Sequence, residues 1–409
     1  MSDRSAYRRS LGIVLAAALT VRIVIAFTST QTSDIAWFRH AIDSFDRWGV
    51  EFYRYANFDP AQPWNFRSFS YPPGYLPWLA AAVRVDRLWG FPFWKIVRIA
   101  PIVADMTLAW IAQSYLGRRG ARDGQRLLAA ALILFCPTFV ATSALEGQID
   151  PVAIVPAVIA AVIWERELVR RGLVAGALIG VGASIKTIPI LMVLALLPTS
   201  RNRREVSELV ASALLVPALA TLPFFLADPS AVARTLQYGG FPGAGGLNVL
   251  VEPTLVEDYI RDSGQVLSGA SELLQQMGWG LTAGAVGAVT IINFRRRAPA
   301  VEAAVLLWLA VYVTSTNWYP QYVAWGLPFF VMAGHLWAVT VANILLLPIV
   351  VLALPDRMPP QVLPDLSVVW RVYWAFVVSL WALAVVGLVQ TLRRVAGDAR
   401  IPIAADPKL

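Results

Sequence analysis

The chain is poor in the residues that build disulfide frameworks, metal centres and charged surfaces. Its 409 residues include one cysteine, two histidines and three lysines, and only 15% of residues are charged. The single cysteine, Cys136, lies in an apolar run, which excludes a disulfide framework and a thiolate metal site. With 57% hydrophobic residues and a mean hydropathy of +0.60, the composition indicates a polytopic membrane protein without a soluble domain of ordinary length.

Apolar segments without charge recur along the chain at lengths suited to membrane-spanning helices. A spanning helix needs about 20 apolar residues, and shorter ones suffice where protein shields them from lipid. We therefore predict an all-α fold, with residues 1–409 forming a single transmembrane domain of about twelve spans. The predicted spans are 10–29, 95–117, 126–145, 151–164, 172–185, 187–199, 206–227, 275–294, 299–316, 320–335, 338–355 and 369–392.

Basic residues near the ends of these spans predict the orientation of the chain, because Lys and Arg stay on the cytoplasmic side. One side collects 20 of the 34 basic residues. They are Arg4, Arg8, Arg9, Arg118, Arg119, Arg122, Arg126, Arg166, Arg170, Arg171, Arg201, Arg203, Arg204, Arg295, Arg296, Arg297, Arg393, Arg394, Arg400 and Lys408. Both termini are therefore predicted to be cytoplasmic. This bias also accounts for the net charge of +8, so nucleic acid is not an expected partner.

Two segments on the far side are too long to be simple connections, and long ordered loops usually carry function. Residues 29–94 form a first external loop, in which we predict amphipathic helices lying at the membrane interface. Residues 228–274 form a second long external loop, which contains the glycine-rich sequence LQYGGFPGAGG. The alternative interpretation of both segments is structural plugging between helices.

Asp34 lies a few residues beyond the first predicted span, in the sequence TSTQTSDIAWF. A carboxylate there can cap a helix starting near Ile35, because its oxygens accept unpaired backbone N–H groups. It is also placed to act as a general base that takes a proton from an acceptor hydroxyl. The two interpretations are compatible, and the sequence leaves both open.

The sequence ALEGQIDPVA joins the third and fourth predicted spans and contains Gln148 and Asp150. Pro151 makes Asp150 a natural N-cap of the following helix, which is a purely structural role. Gln148 has no such role, and its amide can exchange hydrogen bonds with sugar hydroxyl groups.

Lys186, in the sequence GASIKTIPIL, is the lysine most deeply embedded in apolar surroundings. A lysine there costs a few kcal/mol unless it reaches the interface or finds an anion. A phosphate near the outer headgroup level would satisfy it, and snorkelling to the interface is the structural alternative.

The sequence TSTNWYPQYVAWGLPFF places Asn317, Tyr319, Gln321 and Tyr322 between two apolar spans. Trp and Tyr collect at membrane interfaces without any catalytic role, which explains part of this pattern. Gln321 is not explained in that way and is a candidate for substrate binding.

Arg22 and Asp105 are charges within the first and second predicted spans, and we expect both to face protein rather than lipid. Arg98 and Asp105 are seven residues apart and so share a helix face. A structural ion pair is the favoured interpretation of these charges.

Taken in order, these motifs resemble the GT-C superfamily of integral membrane glycosyltransferases, which use polyprenyl-phosphate sugars. The resemblance rests on the acidic residue of TSDIAWF, on YPPGYLPWL, EGQIDPVA and SIKTIPIL, and on WYPQYVAWGLPF, and it covers most of residues 1–335. The last motif looks like the Gln-Tyr stretch of the enzyme that adds the first mannose to glycosylphosphatidylinositol and of related bacterial mannosyltransferases.

The resemblance implies roles for the residues that match. Asp34 would be the catalytic base of an inverting single displacement, Lys186 would hold the donor phosphate, and Gln148 and Gln321 would line the sugar or lipid groove. The chain departs from the superfamily in lacking an acidic pair at position 34 and a histidine beside either glutamine. No cofactor is expected, because no carboxylate cluster supplies hard oxygen ligands around the proposed base. The sequence nevertheless does not exclude a divalent metal.

The chemistry of such a transfer explains why these residue types are needed. Breaking a sugar–phosphate bond requires a cation for the departing phosphate and a base for the nucleophile, and Lys186 and Asp34 would supply them. Further candidates for phosphate contact are Arg67, Arg234 and Arg261. The residues predicted to bind the sugar or the acceptor are Tyr71, Gln148, Asp150, Asn317, Tyr319, Gln321 and Tyr322.

These observations predict an inverting hexosyltransferase that uses a polyprenyl-phosphate sugar donor and a glycolipid or glycan acceptor among membrane lipids. The resemblance favours mannose, and the active site is expected at the extracytoplasmic face. The excess of Arg over Lys indicates a GC-rich bacterial source and hence a plasma membrane. The alternatives are a secondary transporter or lipid-linked sugar translocase, and a scramblase or assembly subunit. Against transport, the polar groups gather at one rim and no paired repeat is evident.

Overall fold

The computed structural model describes residues 2–30, 32–56, 69–166, 168–236, 242–260, 267–352 and 366–397, and all regular structure in these ranges is helical. The first ten α-helices are α1 (Ser2–Thr28), α2 (Ser33–Trp48), α3 (Phe52–Ala56), α4 (Leu76–Trp89), α5 (Phe93–Ile96), α6 (Ile99–Arg118), α7 (Asp123–Leu134), α8 (Pro137–Val140), α9 (Asp150–Trp164) and α10 (Arg171–Ile185). The other ten are α11 (Met192–Leu196), α12 (Arg203–Ala227), α13 (Pro229–Leu236), α14 (Leu247–Val251), α15 (Thr254–Ile260), α16 (Gly269–Arg296), α17 (Ala300–Thr314), α18 (Val323–Met332), α19 (Leu336–Leu352) and α20 (Leu366–Gly397).

The all-α membrane fold is confirmed, and within the described residues each predicted span overlaps helical structure. Five helical segments of the described residues are long and apolar enough to cross a membrane alone. They are Ser5–Thr28, Phe93–Arg118, Arg203–Ala227, Gly269–Arg296 and Val368–Arg394. A sixth is formed if Asp123–Leu134 and Pro137–Leu145 are one span bent by 48°, while other apolar helices are shorter. The predicted count of twelve spans therefore stays a prediction.

Glycines allow α10 to pack closely on the helices beside it. A Cβ atom on Gly172, Gly176 or Gly180 would lie within 3.1 Å of atoms of α12. On another face of α10, a Cβ on Gly182 would lie 2.4 Å from the carbonyl oxygen of Ala153 in α9. Small residues four apart let helix backbones approach in this way in membranes. This packing fixes the position of the end of α10, and therefore the position of Lys186, which follows it directly.

The two ends of α10 have different polar partners, which gives the bundle two distinct ends. At the arginine end, defined by Arg171, the guanidinium donates to Glu205 and to the carbonyl oxygens of Trp164 and Thr199. This hydrogen bonding joins α9, α10 and α12. The opposite end, defined by Lys186 and called the lysine end, lies about 22 Å away at the rise of a fifteen-residue α-helix.

Arginines inside the bundle tie α1 to its neighbours. Arg22 forms an ion pair with Asp105 of α6 at 2.8 Å and donates to the carbonyl oxygen of Leu134, and both charged side chains are fully buried. The predicted structural ion pair is thus found, with Arg22 rather than Arg98 as the partner of Asp105. Arg98 instead donates to the carbonyl oxygens of Thr30 and Leu145, which brings the end of α1 to the segment before α9.

The first external loop contains α2 and α4, where the sequence predicted helices, and it is fixed to the end of α12. Phe52 and Phe45 contact Phe224 at centroid distances of 5.4 and 6.2 Å. Arg54 forms an ion pair with Asp228 at 2.8 Å, and Asp228 also accepts hydrogen bonds from the N–H of Ala231. The loop is therefore packed against the bundle.

We expect the Arg22–Asp105 pair to be costly to break and inexpensive to replace. Removing one partner, as in Arg22→Met, should lower the free energy of unfolding by about 3–5 kcal/mol because a buried charge is left unpaired. The double variant Arg22→Met/Asp105→Leu should recover most of that loss. Arg87→Met, which breaks an exposed pair with Asp46, is the control and should cost less than about 1 kcal/mol. Thermal unfolding in detergent measures all three, and equal losses for the single and double variants would contradict the prediction.

Asp228 should make the stability of the folded protein decrease at acidic pH. Hydrogen bonds from Ala231 and Ser230 and the ion pair with Arg54 hold the pKa of the Asp228 carboxyl well below its ordinary value. Stability from this group is therefore present above its unfolded-state pKa of about 3.9 and is lost as the pH falls further. Asp228→Asn should lower the melting temperature at pH 7 by a few degrees, and the difference between the two proteins should begin to shrink below about pH 4 and vanish only as the pH falls through the depressed folded-state pKa of Asp228. Parallel melting curves across this range would refute this role.

Candidate active site

Lys186 lies just beyond α10 and forms an ion pair with the first residue of α9. Its ammonium donates to Oδ1 of Asp150 at 2.6 Å. The indole N–H of Trp325, in α18, donates to the same oxygen at 2.5 Å. The Asp150 side chain is fully buried and that of Lys186 is 13% exposed. The cation is therefore anchored on one side and accessible on another.

Asp150 does not cap α9, so the prediction of an N-cap there is wrong. Ile149 is the N-cap residue, and Asp150 is already in the first turn. The Oδ1 atom of Asp150 accepts the two bonds from Lys186 and Trp325, while its Oδ2 atom receives no hydrogen bond from the described residues. The carboxylate of Asp150 is engaged in the ion pair with Lys186 and does not accept from the N–H groups at the start of α9.

Three aromatic rings surround the Lys186 ammonium. Its Nζ atom lies 5.4 Å from the ring centre of Tyr71 and 5.2 Å from those of Tyr322 and Trp325. Tyr322 and Trp325 are stacked, with centroids 4.0 Å apart. The negative face of an aromatic ring attracts a cation, so the three rings stabilise the ammonium in these apolar surroundings. Lys186 is therefore stabilised by contacts within the protein, and it also reaches the surface.

Asp34 lies in the first turn of α2, at the lysine end of the bundle. Thr32 is the N-cap of this helix, and its side-chain oxygen accepts from the N–H of Ile35, so the predicted capping role of Asp34 is wrong. Ile35 packs near Gly147, at 3.5 Å from a Cβ built there, which puts the start of α2 beside the segment before Asp150. One turn further on, Phe38 contacts Tyr71 at a centroid distance of 6.2 Å.

Tyr71 and the residues after it connect the first external loop to both Gln148 and α10. The Tyr71 hydroxyl donates to Oε1 of Gln148 at 3.4 Å, and Gln148 is buried. Gly74 lies against the last turn of α10, since a Cβ there would be 2.5 Å from the carbonyl oxygen of Ser184. The loop thus carries one wall of the site to within two residues of Lys186.

The segment that carries the predicted Gln-Tyr motif is fixed by the second external loop. Leu247 N–H donates to the carbonyl oxygen of Ser315, and Trp318 N–H donates to that of Gly245. The amide of Asn248 donates to both Asn317 and Gln275, at 3.0 and 2.9 Å. These contacts hold the segment that continues into Tyr319 and Tyr322.

Sequence reasoning missed three polar residues of this region. Trp325 follows Tyr322 by three residues, so helical spacing alone would have put both rings on one face. Asn248 is buried, and its amide in an apolar stretch of sequence could have indicated a polar contact inside the protein. Gln275 lies in the first part of a long helix, and its pairing with Asn317 depends on the tertiary fold.

The other predicted site residues are placed as follows. Tyr319 contacts Tyr322 at a centroid distance of 5.5 Å, and Gln321 is half-buried in the turn of 3₁₀ helix between them. Arg234 lies on the exposed face of α13, where its guanidinium is 3.4 Å from the Ser230 hydroxyl. Arg67 and Arg261 lie outside the described residues. The structure therefore groups Tyr71, Gln148, Asp150, Tyr322 and Lys186, with Asn317, Tyr319 and Gln321 beside them.

Among the described residues, the donor atoms around Lys186 do not form a site for a divalent metal. Within the described residues, no three His, Cys, Asp or Glu side chains are grouped so that they could hold an ion. A hard cation takes several oxygen ligands, and here one carboxylate is already paired with an ammonium.

Enlarging Gly74 should strain the contact between the first external loop and α10. In Gly74→Ala the new methyl group would meet backbone atoms of Ser184, and relief requires movement of the chain that carries Tyr71. Overpacking of this kind costs about 1–3 kcal/mol. The matched control is Gly280→Ala, where no atom lies within 4 Å and the residue is helical, so stability should rise slightly. Thermal unfolding compares the two, and a neutral Gly74→Ala would show that the contact is unimportant.

Comparison with known proteins identifies the family. A model of glycosyltransferase family 87 matches residues 69–316, more than half of the chain, including Gln148, Asp150 and Lys186. No curated protein sequence matches the chain. The crystal structure of ArnT from Cupriavidus metallidurans in the apo state is similar, with a TM-score of 0.51 and 14% identity over 96% of this chain and 79% of that one. ArnT bound to undecaprenyl phosphate gives 0.48 and 13%, over 95% and 78%.

The similarity to apo ArnT shows a shared fold, and the family match shows the class of enzyme. The predicted GT-C resemblance is confirmed. The chain belongs to glycosyltransferase family 87 and is an integral membrane glycosyltransferase of the GT-C type.

Proposed function

We propose that the protein transfers a hexose, with mannose favoured, from a polyprenyl-phosphate sugar to a lipid or glycan acceptor at the extracytoplasmic face. The reaction is an inverting single displacement, in which the acceptor hydroxyl attacks the anomeric carbon and the polyprenyl phosphate leaves. Lys186 holds the phosphate, and Asp34 removes the proton from the acceptor hydroxyl. The donor is amphiphilic, and this is consistent with a site at the rim of a membrane bundle.

The observation that carries this proposal is the position of the Lys186 ammonium. The site offers a cation that Asp150 fixes and three rings surround, on a helix end that glycine packing holds in place. As the sugar–phosphate bond breaks, negative charge grows on the phosphate. A preorganised cation stabilises that charge more than it stabilises the bound donor, which is the requirement for catalysis.

The location of Asp34 supports its role as the base. The start of α2 packs beside Gly147, and Phe38 of the same helix packs against Tyr71, which in turn borders Lys186. Thr32 supplies the helix cap, so the Asp34 carboxylate is not needed for that purpose. The proposed base and the proposed phosphate site are thus on adjacent walls of one region at the lysine end.

We assign the polar groups around these two residues to the sugar and the acceptor. Tyr71 borders Lys186 directly and donates to Gln148, while Asn317, Tyr319, Gln321 and Tyr322 continue the wall. Asp150 belongs with them because it holds the Lys186 ammonium in position. Arg67, Arg234 and Arg261 remain candidates for phosphate contact at the rim.

The proposal also includes an orientation in the membrane. Clustered arginines lie at the arginine end, with Arg171 in α10 and Arg203 in α12, and positive residues stay cytoplasmic. The lysine end, residues 29–94 and residues 228–274 are then extracytoplasmic, both termini are cytoplasmic, and the chain forms one transmembrane domain in a bacterial plasma membrane.

Sugar transfer by the purified protein tests the proposal. Synthetic polyprenyl-phosphate donors carrying mannose, glucose, galactose or arabinose are offered with a membrane lipid and glycan extract as acceptor. Lys186→Met should lower kcat by about 100-fold or more, as for removal of a donor that stabilises developing negative charge. Asp34→Asn should lower kcat by about 10²–10⁴-fold, the range for loss of a general base.

The matched control for the base is Asp43→Asn, the same change on the exposed side of α2, which should leave kcat unchanged. Unchanged transfer by Asp34→Asn would remove that residue from the mechanism. Transfer from nucleotide sugars but from none of the prenyl donors would overturn the proposed donor class.

A further inference from the structure

A pocket with a cavity volume of about 450 Å³ lies between α1, α6 and α7. It is at the arginine end of the bundle, because Tyr115 and Arg119 of the same part of α6 donate to Glu165, the residue that follows α9. Its volume is within the range of about 300–1,000 Å³ that small-molecule sites occupy. The pocket is therefore separate from the proposed catalytic site, which lies at the lysine end.

The pocket lies at the depth of lipid headgroups. Tyr7 is near the start of the apolar segment Ser5–Thr28, and Gln113 is five residues before the end of Phe93–Arg118. Five residues of α-helix rise about 7.5 Å, which reaches the boundary between the headgroup layer and the hydrocarbon core. Trp110, which also lines the pocket, is 55% exposed, as is common for Trp at a membrane interface.

Arg126 of α7 is fixed inside the pocket before any ligand binds. Its guanidinium lies 4.1 Å from the ring centre of Tyr7, and a Cβ built on Gly117 would meet its Nε atom at 2.7 Å. The guanidinium donates to the Asp123 carboxylate at 2.9 Å, and to both the side chain and the carbonyl oxygen of Gln113. The ring of Tyr7 and the backbone of α6 therefore confine this cation.

These contacts leave part of the Arg126 guanidinium available. An arginine side chain has five N–H groups, and the bonds to Asp123 and Gln113 use three of them. The other two have no acceptor among the described residues. A guanidinium with free N–H groups is the preferred partner of phosphate oxygens in proteins.

Arg8 of α1 supplies a second cation to the same pocket. It is exposed, and no hydrogen bond, ion pair or ring contact joins it to any other residue that the structure describes. The carboxylate of Asp123 is paired with Arg126, so two arginines against one carboxylate leave the lining positively charged. A headgroup that carries an ammonium would add a charge that Asp123 cannot also neutralise. The lining is therefore suited to a headgroup with net negative charge.

We propose that this pocket binds the headgroup of an anionic phospholipid from the leaflet at the arginine end, with the phosphodiester accepting from Arg8 and Arg126. Basic pockets between membrane helices bind anionic headgroups in this way. Because Arg8 is on α1 and Arg126 is on α7, the bound phosphate joins the two helices and stabilises the bundle. The inference depends neither on the sugar donor nor on which side of the membrane the arginine end faces.

Native mass spectrometry of the purified full-length protein tests the proposal by counting bound lipid during titration with phosphatidylglycerol or phosphatidylcholine. The protein should retain one phosphatidylglycerol more tightly than phosphatidylcholine. Arg8→Gln should weaken that binding about tenfold, for the loss of one charge-assisted hydrogen bond. Equal affinity of the unchanged protein for the two lipids would overturn the proposal.

Arg9→Gln is the matched control. Arg9 is the adjacent exposed arginine, so its replacement removes the same charge from α1, but it does not line the pocket. This variant should keep most of the affinity for phosphatidylglycerol. An equal loss in the two variants would show a diffuse attraction by the arginines of α1 and would overturn the assignment of a site.

Thermal unfolding in detergent gives a second measurement, because a ligand that binds the folded state alone raises the melting temperature. Without lipid, Arg8→Gln should unfold at the same temperature as the unchanged protein, since Arg8 has no partner among the described residues. Phosphatidylglycerol should stabilise the unchanged protein more than this variant. An equal rise in both proteins would place the lipid elsewhere, and an equal rise with inorganic phosphate would make a soluble anion the ligand and overturn the lipid assignment.

Discussion

The ion pair between Lys186 and Asp150 is the interaction on which the arrangement of the site depends. It joins the end of α10 to the start of α9, and Trp325 adds α18 through the same carboxylate oxygen. A lone ammonium or carboxylate in apolar surroundings would be costly, and each is retained because the other is present. The pair also fixes the cation in space before any substrate arrives.

The remaining structure can be understood as support for that pair. Close packing at the glycines of α10 fixes the position of this helix along α9 and α12, and the hydrogen bonds of Arg171 fix the end opposite Lys186. Arg98 draws the end of α1 to the segment before α9, so that α2 begins beside the site. Buried arginines that donate to carbonyl groups at helix ends satisfy backbone acceptors that lipid cannot solvate.

Much of the site was predictable because its polar residues occur in otherwise apolar segments of the sequence. Lys186, Gln148 and Asp150 are polar residues in apolar sequence, and the structure places them together. The structural roles first suggested for Asp34 and Asp150 were wrong, because Thr32 caps α2 and the Asp150 carboxylate is used by Lys186. At α2 the cap is a neighbouring residue, Thr32, which the sequence interpretation overlooked, whereas at α9 local rules cannot account for Lys186, a distant competitor for the Asp150 oxygen.

The sequence alone determined the membrane class, the all-α fold and the positions of the apolar helices, since these follow from hydropathy and length, which are local properties of the chain. Only the tertiary structure decided that Asp105 pairs with Arg22, that Tyr71, Tyr322 and Trp325 surround one ammonium, and that Asn248 holds Asn317. These contacts join residues far apart in the chain. Their geometry depends on how close the helices pack and where each one ends, and no pattern within a single segment encodes either quantity.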